Sequence, residues 1–129
     1  MNTQDSLRQA KDALNQAILA SKAEIDEIRR VLMMRGQEMR NHMNELKQRE
    51  GVRLTEIGLT NSDQWRAKRL KDAQMLRAEE SRVDQDYKRQ KKELDDLLVI
   101  KQRNLDKLNQ IVHELDLQVA QAARPFNLT

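Results

Sequence analysis

Ile57-Gly58-Leu59-Thr60-Asn61-Ser62-Asp63-Gln64-Trp65, near the middle of a 129-residue chain, decides how the rest folds. Gly58 followed by Leu59 suits a helix end in which glycine takes the left-handed C′ position and the next apolar side chain folds back, here onto Leu54. A run of N-cap residues comes next, and Asn61 with Gln64 three positions on has the form of a capping box. One helix therefore stops near Ile57 and another starts near Ser62, with residues 58–61 as the turn.

Outward from the turn, both halves carry a helical stripe. In the first half Leu7, Ala10, Leu14, Ile18, Ile25, Ile28, Leu32, Met39, Met43, Leu46, Leu54 and Ile57 recur on three- and four-residue steps, with Ser21, Gly36 and Glu50 in the skipped places. In the second half Leu70, Ala73, Leu76, Val83 and Tyr87 continue more weakly. From Leu94 the repeat becomes heptad through Leu98, Lys101, Leu105, Leu108, Val112, Leu115, Val119 and Ala122, and a seam that narrow requires a partner helix. Pro125 disfavours helix at Arg124 and ends the second helix near Ala123. The expectation is an all-α fold, a long two-helix antiparallel coiled-coil hairpin of one domain. Helix one covers about 4–57, helix two about 62–123, and 124–129 form a tail. Folding at about residue 61 sets Ile57 near Trp65, Leu46 near Leu76, Ile25 near Leu97 or Leu98, and Gly36 opposite Tyr87. Arms of roughly 55 residues at ~1.5 Å each reach about 80 Å. Gly51 is the main threat to a continuous first helix. So narrow a core is marginal alone, which points to a partner or to self-association into a four-helix bundle.

Composition agrees. Apolar residues make up 38% and charged residues 35%, of mixed sign, and the three aromatics are Trp65, Tyr87 and Phe126, which suits long surface-rich helices better than a globule. The net charge of +3 and the ordered periodicity argue against disorder. Without cysteine there is no disulfide, thiolate or Cys-based metal chemistry. No window resembles a signal peptide or a membrane span, so a soluble cytoplasmic protein is expected.

Nothing in the spacing suggests catalysis or a cofactor. His42 and His113 sit on different arms. Adjacent carboxylates such as Glu79-Glu80 and Asp95-Asp96 diverge around a helix, and phosphate loops, nucleophile elbows and metal-spaced clusters are missing. We read no enzyme. Residues 66–92 hold ten Lys or Arg against five acids. Tyr87 is the only ring beside the run Lys88-Arg89-Gln90-Lys91-Lys92, so an acidic protein partner or a solvated face fits better than nucleic acid. Met39 and Met43 fit the seam, whereas Met33 and Met34 widen it and are either core filling or a soft docking surface. Leu59 and Trp65 either close the hairpin or present an apolar anchor at its tip. Phe126 and Leu128 offer a short docking motif or a disordered end.

Arg103-Asn104-Leu105-Asp106-Lys107-Leu108 resembles an R-x-L-E-K-L word found near the end of the central-stalk proteins of type III secretion and flagellar export ATPases, the YscO, HrpO and FliJ family. The resemblance extends over the chain in size, basic charge, lack of cysteine and hairpin architecture. It implies that the terminal end of the hairpin, including Leu105 and Leu108, enters the central hole of a hexameric ATPase. The far end, around Leu59, Trp65, Arg66 and Arg69, would then meet an export-gate protein and secretion chaperones. The alternative is a coiled-coil adaptor or tether subunit of another assembly.

Overall fold

The computed structural model describes residues 3–123; the tail from Arg124 onward, with Pro125, Phe126 and Leu128, lies outside the described residues. The fold is an all-α helical hairpin. Helix α1 spans Thr3–Leu59 and α2 spans Asp63–Ala123, 57 and 61 residues respectively. Both run without a break; α1 passes through Gly36, Gly51 and Gly58, so Gly51 does not interrupt it, and α2 contains no glycine.

Burial follows one face of each helix. On α1 the least exposed positions step by alternating fours and threes from Leu7 through Ile18, Ile25 and Ile28, and again from Gly36 through Leu46 and Ile57. The alternation is broken once, by two successive fours at Ile28, Leu32 and Gly36. On α2 the same happens once, at Gln90, Leu94 and Leu98. An extra four-residue step keeps the apolar face in line while locally relaxing the heptad winding. Both insertions fall where the chain divides into two compact units, one built from residues 3–29 and 95–123, the other from 30–94.

In the first unit Ile18, Ile25 and Leu105 form a buried cluster, and Leu98, Leu108 and Val112 pack against it. Two ion pairs fix the antiparallel register, Lys11 to Asp116 at 2.6 Å and Glu24 to Lys101 at 2.7 Å. Lys101 is thus the charged interruption of the heptad seam, and a carboxylate on the facing helix answers it. In the second unit Leu46 and Ala73 are the most deeply buried side chains, Leu46 at 1% exposure. Gly36 is buried, and a Cβ placed on it would stand 3.1 Å from the Tyr87 hydroxyl oxygen, so the small residue does face the large ring.

The turn departs from the sequence reading. α1 continues helical through Gly58 to Leu59, and no glycine among the described residues has a positive φ, so the left-handed C′ glycine is not formed. Leu59 does not fold back onto Leu54; it is 80% exposed, and Leu54 is exposed too. The turn is held instead by Arg66, whose Nε donates to the Thr60 carbonyl at 2.6 Å. A side chain from α2 thus satisfies a carbonyl of the turn, just past the end of α1. The Arg66 amide donates to the Ser62 carbonyl at 3.0 Å, which makes Ser62 the N-cap in place of Asn61. Asp63 in the first turn suits the positive end of the helix dipole.

Candidate protein-interaction site

The tip belongs to the second unit. Trp65 follows the N-cap by three residues and is therefore held at the start of α2, where it remains 51% exposed. Lys68 Nζ lies 5.2 Å and the Arg69 guanidinium carbon 5.4 Å from its ring centroid, within cation–π range. Arg69 is itself anchored, its Nε 2.7 Å from Glu56 Oε2 and its Nη1 3.7 Å from Asp72. Arg53 Nη1 donates to both Glu56 oxygens at 3.2 Å. This chain of alternating charges ties α1 to α2 beside the turn and steadies the guanidinium next to the indole. Glu56, Leu59, Thr60, Trp65 and Arg69 line an open cleft of about 370 Å³.

Three of the four tip residues singled out from sequence, Leu59, Trp65 and Arg69, therefore line one cleft, and the fourth, Arg66, closes the turn beneath it. Met33 is 70% exposed and Met34 is half exposed, its sulfur receiving Arg30 Nη1 at 3.0 Å, so neither fills the core. Met39 and Met43 lie on the partly buried seam. Leu105 and Leu108 are placed otherwise than an interaction surface requires. Leu105 is in the buried cluster and Leu108 packs on it, because both occupy seam positions that their own hairpin already fills.

Sequence spacing missed a cluster in the second unit. Glu50 on α1 and Glu80 on α2 lie close enough that a protonated Glu80 would donate to Glu50, and the Arg77 guanidinium donates to Glu50. The Arg77 hydrogen bond, with help from Glu80, holds the Glu50 carboxyl below the ordinary range. Burial, then the hydrogen bond and charge of Glu50, push Glu80 up. One Glu80 oxygen, Oε1, is buried without a hydrogen-bond partner. Glu79 and Glu80 do diverge along their helix, but carboxylates on opposite helices meet. The available signal was that both fall where the apolar stripe skips a place.

Other candidates resolve plainly. Lys88 pairs with Asp84 at 2.9 Å and Arg89 with Asp86 at 3.4 Å, one turn back on the same helix. His42 borders a shallow groove with Met39, Val83 and Tyr87 in the second unit, and His113 is exposed in the first. Among the described residues no three potential metal ligands gather, and no helix is long and apolar enough to cross a membrane.

The first unit carries apolar side chains outside its seam: Leu19 on α1 and Leu97, Val99, Ile100, Ile111 and Leu117 on α2, all exposed. With Leu98, Leu105 and Val112 inward, Leu97 and Ile111 fall on one flank of α2, Val99 toward the other, and Leu117 on its back. No family model, no curated protein and no solved structure matches the chain.

Proposed function

We propose that this hairpin works by binding other proteins, without catalysis, and that its specific role is the central stalk of a type III secretion or flagellar export ATPase in the cytoplasm. The observation that carries this reading is the scatter of exposed apolar side chains over the first unit. A helical partner needs one stripe, whereas a shaft gripped by a ring of subunits needs contacts on several sides. Leu19, Val99, Ile111 and Leu117 supply them on several sides. In this role the first unit sits in the hexamer, and the tip around Trp65 meets the gate protein and chaperones.

The test is hydrolysis by the cognate hexamer. The chain is expected to raise the rate several-fold, and a Leu19→Glu/Ile100→Glu/Leu117→Glu variant to lose at least ~1.4 kcal/mol of binding, a tenfold weaker response. A rate unmoved by the parent chain ends the stalk reading.

One observation favours the alternative of an adaptor or tether in another assembly: Leu97, Ile100 and Ile111 recur along a single flank of α2, as a packed coiled-coil neighbour would require. Charged replacements at those three positions would then abolish co-purification with coiled-coil subunits. Leu105→Asp is unsuitable for the purpose, since Leu105 is buried inside the hairpin and its loss would damage the fold.

A further inference from the structure

We infer that the cleft at the tip takes an acidic peptide segment presenting an apolar side chain; the inference deepens the protein-binding reading above but is independent of the ATPase assignment. Two features of the cleft point to such an occupant. The first is apolar surface held in place rather than folded away. Trp65 and Leu59 are both more than half exposed, and they flank a turn already closed by the Arg66 hydrogen bonds, so burying them is not what forms the turn. A half-exposed tryptophan in a cleft is the type of side chain that anchors a partner.

The second feature is charge. Residues 60–71 contain Arg66, Lys68, Arg69 and Lys71 against the single acid Asp63. Arg69 is committed to Glu56 and Asp72, and Arg66 to the Thr60 carbonyl. Lys68 rests on the Trp65 ring, and Lys71 enters no ion pair among the described residues. A carboxylate arriving beside Trp65 therefore finds an ammonium whose side chain is already placed, at the edge of an apolar floor. Preorganisation of this kind reduces the ordering cost of binding.

Other occupants fit less well. A bilayer would have to receive the apex itself, but Thr60, Asn61, Ser62 and Asp63 there are polar or anionic. A nucleic-acid strand stacks successive bases on successive rings, and Trp65 is the only tryptophan, with Tyr87 and Phe126 the other aromatics in the chain. The cleft instead offers Leu59 and Trp65 to an apolar side chain, with Lys68 and Arg69 on the α2 side and Glu56, already paired with Arg69, on the α1 side.

Because Trp65 is the single tryptophan, its emission reports the cleft directly. The full chain is titrated with a short synthetic peptide of glutamates around two leucines, with the same peptide carrying lysine for glutamate, and with phosphatidylglycerol vesicles. The glutamate peptide is expected to give a saturable blue shift that weakens as salt is raised. A Lys68→Glu/Lys71→Glu variant, checked for unchanged helical circular dichroism, should bind about tenfold more weakly, and Leu59→Ser should also bind more weakly. No shift with the glutamate peptide, an equal shift with the lysine peptide, or a shift with vesicles alone would overturn the inference. A chain that binds the peptide but leaves the hexamer's hydrolysis unchanged loses only the ATPase assignment; one that stimulates the hexamer but ignores the peptide loses only this inference.

Discussion

Glu50 and Glu80 meet across the seam of the second unit, yet their surroundings favour opposite charge states. Glu50 accepts from Arg77 and is favoured as the anion; its contribution to stability is present above the ordinary carboxylate range and fades as pH falls through its lowered pKa. Glu80, raised by burial and by Glu50, is favoured as the neutral acid. Its contribution is complete below the ordinary range of about 4 to 5 and is lost as pH rises through its raised pKa. Glutamine at this position keeps a donor for Glu50 and never ionises. Glu80→Gln should therefore melt at a higher temperature than the parent at neutral pH, with the difference closing at about pH 4. Thermal melts at both pH values check this, and a variant less stable at neutral pH would mean that Glu80 is needed as an anion. Sequence showed that polar residues occupy seam places here. It could not show which of them meet, because the partner is chosen by the facing helix.

The helices themselves were largely legible. Their stripes, the turn near residue 61 and the Gly36–Tyr87 pairing all follow from periodicity and from folding the chain back. The errors are local to the turn, where α1 runs on through Gly58 to Leu59 and a guanidinium from the next helix, which no short-range rule anticipates, holds the Thr60 carbonyl. Glycine offers a test at this scale. Gly51 lies inside α1 with nothing within 4 Å of an added Cβ, so Gly51→Ala should stabilise by about 1 kcal/mol in urea unfolding. At Gly36 the same helix gain is offset by a Cβ 3.1 Å from the Tyr87 hydroxyl, and Gly36→Ala should gain distinctly less. Equal gains would mean that the ring yields freely.

Across the whole chain, burial is uneven, and the sequence hinted at this through the weaker stripe between Leu70 and Tyr87. The first unit holds Ile18, Ile25, Ile28 and Leu105 in its core, whereas the second has Leu46 and Ala73 as its buried apolar side chains, with the Glu50–Arg77 ion pair one turn along each helix from them. Amide exchange should accordingly be slowest around residues 18–28 and 98–112 and fastest near the tip, around 53–70; uniform protection would contradict the division into units. The sequence named the tip residues of the candidate site but left open whether they are buried. Exposure of Trp65 and Leu59, and concealment of Leu105, depend on which side of each helix the other covers. The doubled four-residue steps at Ile28–Gly36 and Gln90–Leu98 carry a consequence for how such a chain can change in length. Deleting four residues from either helix alone at that level would restore an unbroken heptad there but leave its neighbour a turn out of step. Shortening or lengthening at that level therefore keeps the two seams paired only when matched edits are made in both helices.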